Sequence, residues 1–198
     1  MKKIMKKLKN LFWIFFSAFI LCSCSQEEDS APQSQSFLKF KAGGKLVEYS
    51  GSNQPMGFSL DASGPMYLAT AIILGTPGDG TKNFLSITVR NETTFQLGKE
   101  YQMQQAFQYK GANLVRILLT YSDASGQVFN AVLFQQNIPG MKVTDDAQLK
   151  FTKITSDWVE GTFSGVLLGP VSSLTGRGNT ELVITEGQFS LPLINNIP

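Results

Sequence analysis

The stretch from Phe37 to Ser50 reads FLKFKAGGKLVEYS, and it alternates large apolar or aromatic residues with polar ones on both sides of Gly43 and Gly44. Alternation with a period of two is typical of a strand that buries one face. Paired glycines reach the positive φ values that a tight turn between two strands requires. The stretch therefore predicts a β-hairpin.

The same alternation continues to the end of the chain and predicts roughly eleven strands. No segment after the N-terminus has a sustained helical stripe, and Lys99 to Lys110 is read as strand or loop. We expect one all-β domain over residues 37–198, an antiparallel β-sandwich or a barrel-like pair of sheets. The predicted strands lie in MGFSLD, PMYLATAIILG, NFLSITVRN, NLVRILLTYSD, QVFNAVLFQQN, AQLKFTKIT, WVEGTFSGVLL, ELVITEG and QFSLPL, besides the opening hairpin.

Clusters of turn-forming residues separate these strands. The tetrapeptide DASG occurs twice, beginning at Asp61 and at Asp123. Asp at the first position and Gly at the last suit a type I turn, which explains the repeat without an internal duplication. The other predicted turns are Gly51-Ser52-Asn53, Thr76 to Gly80, Gly111-Ala112-Asn113, Pro139-Gly140 and Gly176 to Asn179.

The N-terminus has the layout of a secretory signal, with five lysines before an unbroken apolar run from Leu11 to Cys22. A helix needs about 20 apolar residues to span a bilayer, and this run has twelve. We therefore interpret residues 1–23 as a cleaved signal peptide.

Leu21-Cys22-Ser23-Cys24 resembles the lipobox of bacterial lipoproteins, in which a small residue precedes the modified cysteine. Cys24 fits that position, whereas Cys22 follows the bulky Leu21. The resemblance implies acyl chains on Cys24 and cleavage before it. Several acyl chains hold a protein on a membrane stably, so the membrane is the first expected partner.

Residues 24–36 are polar and read as a flexible tether. Glu27, Glu28 and Asp29 resemble the acidic export signal of Bacteroidetes-type surface lipoproteins, which implies an outer-membrane protein facing the cell exterior. The alternative is a merely solvated acidic tether. Asp29-Ser30-Ala31 resembles the O-glycosylation motif of the same bacteria, which makes Ser30 a candidate for that modification.

The C-terminal third contains two short patterns, Val159 to Ser164, VEGTFS, and Ile184 to Phe189, ITEGQF. These patterns resemble strands near the end of a group of small Bacteroidetes lipoproteins of unknown function. The resemblance implies a β-sandwich on a lipid tether and no activity.

Charge argues against nucleic acid as a partner. Five of the seventeen basic residues lie in the signal, which leaves twelve against fifteen acids in the mature chain. A basic patch of the kind that binds nucleic acid is missing.

The chain has no His, and its two cysteines are assigned to the signal and the lipid. This excludes His-based nucleophile activation and most zinc sites. Paired carboxylates remain, as Asp157 with Glu160 or Asp145 with Asp146, but both pairs read as solvated charges. Calcium at Asp145 and Asp146 or in the Asp79 loop lacks the usual ligand spacing. We expect no enzyme activity, no cofactor and no metal.

Exposed aromatic residues are the remaining candidates for ligand binding. Trp158 lies beside Asp157 and Glu160, a trio that suits a sugar. The alternative is that Trp158 covers the open end of the sandwich. Alternation places Trp158 and Glu160 on the solvent face, opposite Val159 and Phe163. A second aromatic run, Tyr101, Met103, Phe107 and Tyr109, reads as ordinary core patterning.

These observations predict a lipid-anchored, surface-exposed module. It binds a glycan or a protein, or serves as a structural component, and catalyses no reaction. One alternative is a barrel-like periplasmic carrier of a hydrophobic ligand, which requires a large apolar cavity. Another is a carboxylate-dependent hydrolase, which requires two buried acids facing one cleft.

Overall fold

The structure is a computed structural model that describes residues 35–51, 56–61, 66–75, 79–135 and 143–194. The signal peptide, Cys24 and the acidic segment with Ser30 lie outside these ranges. Thirteen strands and no helix occur in the described part of the chain. The strands are β1 (Phe37–Ala42), β2 (Lys45–Ser50), β3 (Met56–Asp61), β4 (Tyr67–Leu74), β5 (Phe84–Asn91), β6 (Glu100–Gln102), β7 (Phe107–Tyr109), β8 (Ala112–Leu114), β9 (Ile117–Ser122), β10 (Val128–Ala131), β11 (Asp146–Ile154), β12 (Trp158–Ser172) and β13 (Gly176–Pro192).

The predicted opening hairpin is confirmed as β1 and β2. Gly43 and Gly44 adopt φ values of 55° and 81°, the left-handed region that a two-residue hairpin turn needs. Leu38 and Phe40 are buried, while the intervening Lys39 lies on the outer face. One face of the hairpin therefore joins the core.

All strands except β7 and β8 belong to one curled antiparallel sheet that forms a half-barrel, which confirms the predicted all-β class. The sheet has two arms: a large arm in the order β2-β1-β13-β12-β11-β6 and a small arm in the order β3-β4-β5-β9-β10. The arms join at β12, which pairs with β11 through Val159 to Val166 and with β10 at Leu168. On the far side, the amide of Ile194 donates to the carbonyl of Phe58 at 2.7 Å, so the end of β13 touches β3.

Aromatic side chains fill the space between the arms. Phe40 of the large arm meets Tyr121 of the small arm with ring centroids 5.3 Å apart. Phe58 of the small arm contacts Phe151 at 5.9 Å and Phe189 at 5.0 Å. The two arms therefore share one core.

The strand bounds differ from the prediction at the C-terminus. ELVITEG and QFSLPL form a single strand, β13, because both segments pair with β12. Glu186 adopts a φ of 55° between them, where the register with β12 shifts between Ile184 and Gly187. The prediction of a turn over Gly176 to Asn179 is wrong, since these residues open β13 and the turn lies at residues 173–175. Beyond the strands, no described helix is long and apolar enough to cross a membrane.

The DASG turn at Asp123 is confirmed. The Asp123 carboxylate accepts hydrogen bonds from the amides of Ser125 and Gln127, both at 2.9 Å. Gly126 adopts a φ of 85°, which its missing side chain allows. Its counterpart at Asp61 to Gly64 lies largely outside the described residues.

Candidate functional site

Trp158 opens β12 on the outer face of the large arm, as the alternation predicts. Val159 and Phe163 are buried, whereas Trp158, Glu160 and Thr162 are half-buried. The indole N–H of Trp158 donates to the hydroxyl of Ser190 at 2.7 Å. This bond satisfies the polar edge of the ring and fixes its orientation on the sheet surface.

Asp157 and Glu160 do not converge with each other. Asp157 is exposed in the turn before β12, where its carboxylate accepts from the hydroxyl of Thr155 at 2.8 Å. Glu160 pairs with Lys153 at 3.3 Å across the β11–β12 ladder. The predicted trio thus consists of a ring and an acid on the sheet face and a second acid in the turn.

A straight row of polar side chains crosses the outer face of the large arm next to Trp158. Cross-strand partners follow one another through all six strands of the arm. Five steps of about 4.8 Å make the row about 24 Å long. The outer-face row consists of Glu48, Lys39, Gln188, Thr162, Lys150 and Glu100.

A shallow groove of about 330 Å3 lies over the β6 end of this row. Gln148, Lys150, Thr162, Ser164 and Gln188 line it. Within the described ranges, none of these five side chains has a hydrogen-bond or ion-pair partner. The groove therefore presents amide, hydroxyl and ammonium groups whose bonding capacity is open to a ligand.

The interpretation of Asp145 as a solvated turn charge is wrong. Asp145 is fully buried, and its Oδ2 accepts from Nη1 of Arg177 at 2.5 Å and from the amides of Val132 and Leu133. Its Oδ1 is buried and has no hydrogen-bond partner within the described ranges. Asp146 is half-buried at the start of β11. The two acids therefore lie in different environments and do not form a catalytic pair open to solvent.

A second ion pair that sequence alone does not predict joins β5 to the start of β9. Arg116 is buried, and its guanidinium donates to both carboxylate oxygens of Glu92 at 3.0 and 3.1 Å and to Oδ1 of Asn91 at 2.5 Å. The hydrogen bond from Arg116 lowers the pKa of Glu92. Arg116 also donates to the carbonyls of Gln105 and Ala106, so this cluster connects the loop before β7 to the end of β5 and the start of β9.

The aromatic run from Tyr101 to Tyr109 belongs to the core, as predicted. Tyr101, Met103 and Phe107 are buried, and Tyr109 is half-buried with its ring stacked on Phe107 at 6.1 Å. Tyr101 lies in β6, Phe107 and Tyr109 lie in β7, and Met103 lies in the turn between these strands. The expectation of strand or loop for Lys99 to Lys110 is thereby confirmed.

Asp79 is an acidic residue that accepts hydrogen bonds within its own turn. Asp79 accepts from the amide and hydroxyl of Thr81, and these hydrogen bonds lower its pKa. The described part of the chain contains no group of three or more acids or other metal ligands that could hold an ion.

Sequence reasoning placed Trp158 but missed the outer-face row and the partner of Asp145. The signal for the row is present, because polar residues alternate through β1, β11, β12 and β13. Alternation within a strand does not reveal which strands are neighbours, so the row appears only with the register.

The chain matches no protein-family model, and comparison with curated proteins and with solved structures gives no significant match. The resemblances at the lipobox and in the C-terminal strands remain predictions, and a function has to be argued from the geometry above.

Proposed function

We propose that this protein is a lipid-anchored, non-catalytic module at the outer cell surface, and that it binds a glycan along the outer-face row. The observation that carries the glycan assignment is the row itself. It offers unpaired amide, hydroxyl and ammonium groups in one line, next to the orientated ring of Trp158.

A polysaccharide suits this surface because it presents many hydroxyl groups along an extended chain. Hydroxyl groups both donate and accept hydrogen bonds, as the side chains of Gln148, Thr162 and Gln188 do. The ring of Trp158 supplies an apolar platform beside the middle of the row, because its N–H contacts Ser190, two residues from Gln188 on β13. Shallow, polar surfaces of this kind favour binding over covalent chemistry, which needs convergent acids or nucleophiles.

The anchor is tested by locating the intact protein. Live cells carrying the native chain, a Cys24→Ala chain and a chain without Glu27 to Asp29 are treated with an external protease. We expect only the native protein to be digested, because a chain without the lipid is not carried to the cell surface and a chain without the acids is retained inside. Protection of the native protein would contradict surface exposure.

The binding surface is tested by affinity gel electrophoresis in gels containing xylan, glucomannan or amylopectin. We expect at least one polysaccharide to retard the native protein. A Lys150→Ala, Gln188→Ala double variant should lose most of this retardation, and Trp158→Ala should weaken it. Lys110→Ala, an exposed change in the β7–β8 turn, serves as the control and should migrate like the native chain. If no polysaccharide retards the native protein, the glycan proposal fails.

A further inference from the structure

A second cavity lies at the end of the half-barrel, where the β1–β2 and β9–β10 turns meet β13. Its volume is about 700 Å3, within the range of small-molecule sites. Its wall is mainly apolar and is formed by Ala42, Val47, Tyr121, Phe129 and Leu182. We call this cavity the mouth pocket. It lies between the arms, away from the outer-face row.

The mouth pocket extends the shared core towards solvent. Tyr121 and Phe129 are only 6% and 8% exposed, whereas Leu46 at the rim is 65% exposed. An apolar body placed in the pocket would be covered on its inner side by these rings. Burying apolar surface there is favourable at about 25 cal/mol per Å2.

Among the described residues that line the pocket, one is a cation. Lys45 lines the pocket and is exposed, and its ammonium has no hydrogen-bond or ion-pair partner among the described residues. An ammonium beside an apolar wall matches a ligand with one negative group at the end of an apolar body.

The acid at the same rim is held within its own loop and makes no ion pair with Lys45. Asp123 lines the pocket, but its carboxylate is turned into its own loop, where Ser125 and Gln127 donate to it. Burial disfavours the ionised form of Asp123, yet these hydrogen bonds outweigh burial and lower its pKa. A fixed negative charge nearby favours a singly charged ligand over a phosphate, which carries more charge.

We infer that the mouth pocket binds a small amphiphile with an apolar body and a single carboxylate, of which a free fatty acid is the simplest form. The apolar chain lies against Val47, Phe129 and Leu182, and the carboxylate meets the ammonium of Lys45. This site is separate from the outer-face row and does not depend on the glycan proposal.

The test uses the full-length protein in membrane vesicles with a palmitic acid that carries a diazirine in its chain, and with the methyl ester of the same probe. After irradiation, we expect labelled peptides that contain Val47, Phe129 or Leu182. The ester should label about fivefold less, because an exposed ion pair contributes up to about 1 kcal/mol.

Variants separate the apolar part of the site from the charged part. Leu182→Trp fills the pocket and should reduce labelling by both probes. Lys45→Glu should reduce labelling by the acid to the level of the ester, whereas Lys110→Glu should change neither. Absence of labelling at the pocket, or labelling that Leu182→Trp leaves unchanged, would overturn the site. Equal labelling by acid and ester would overturn the carboxylate assignment. Added xylan should not compete, even if the outer face binds it.

Discussion

Tyr49 carries a buried hydroxyl that has no hydrogen-bond partner in the described part of the chain, although its ring contacts Phe40. Burial, aided by the nearby Tyr121, raises the pKa of Tyr49, so the group stays neutral at all ordinary pH values. A desolvated hydroxyl that makes no hydrogen bond is unfavourable by about 1–3 kcal/mol. The buried hydroxyl therefore lowers the free energy of unfolding of the protein.

Replacing Tyr49 by Phe removes this hydroxyl and leaves the ring in place. We expect Tyr49→Phe to raise the free energy of unfolding by about 1 kcal/mol, measured by urea denaturation. Tyr109→Phe, at a half-buried ring on the β7–β8 hairpin, is the matched control and should change little. A loss of stability in Tyr49→Phe would mean that the hydroxyl does bind a partner.

Asp145 and Arg177 form a different kind of buried polar contact, because here the charges are paired. Arg177 also donates to Oδ1 of Asn130 at 3.3 Å, so the pair links the end of β10, the start of β11 and the start of β13. Removing one partner of a buried pair leaves an uncompensated charge and costs about 3–5 kcal/mol.

We expect Asp145→Asn and Arg177→Met each to destabilise the protein strongly and the double variant to be less destabilised than their sum. The coupling energy comes from urea unfolding of all four chains. The solvent-accessible pair of Lys153 and Glu160, 3.3 Å apart, provides the comparison, with an expected coupling below about 1 kcal/mol. Equal coupling in both pairs would show that burial does not strengthen the Asp145 contact.

At the scale of elements, β12 depends on a close approach between three strands. Gly161 lies between Phe151 of β11 and Phe189 of β13. A Cβ atom built on Gly161 would lie only about 2.5 Å from both the carbonyl oxygen of Lys150 and the ring of Phe189, so no side chain fits. The backbone of β11 on one side and the ring of Phe189 on the other leave the surrounding atoms little room to move.

Gly161→Ala should therefore lower the free energy of unfolding by about 1–3 kcal/mol through overpacking. Gly80→Ala provides the control, since nothing lies within 4 Å of a Cβ at Gly80, and its change should stay within about 0.5 kcal/mol. Urea midpoints measure both. A neutral Gly161→Ala would mean that β11 and β13 can separate at this point.

The elements also show why part of the fold was predictable. The hairpin of β1 and β2 and the faces of β12 follow from local alternation and from Gly43 and Gly44. The burial of Asp145 does not follow, because PGMKVTDD reads as a polar turn and the neutralising charge of Arg177 lies 32 residues further on. The continuity of β13 through Glu186 was missed for a similar reason, since tertiary pairing with β12 overrides the local turn signal.

The candidate sites also differ in how far they could be predicted from the sequence. Trp158 could be assigned to the outer face from its own strand, because the pattern repeats every two residues. The outer-face row and the mouth pocket require knowledge of which strands and turns are neighbours. Lys45 and Leu182, for example, lie more than a hundred residues apart in sequence and line one cavity.

At the scale of the whole molecule, the two arms of the sheet have no separate cores. Phe58 of the small arm contacts two rings of the large arm, and Phe40 of the large arm contacts Tyr121 of the small arm. All described residues fall within one compact unit, residues 34–198. Loss of either arm would expose the core face of the other, so separate unfolding of the arms is unfavourable.

We therefore expect the chain from Ser34 onward to unfold in one cooperative transition. Trp158 is its only tryptophan and reports on the large arm, while the methyl NMR signals of Ile87 in β5 report on the small arm. Both probes should give the same urea midpoint. Phe58→Ala removes the ring that bridges the arms, and it should lower both midpoints together at a cost of about 3–5 kcal/mol. Two distinct midpoints in the unaltered chain would contradict a shared core, and a shift of one probe alone in Phe58→Ala would locate the bridge elsewhere.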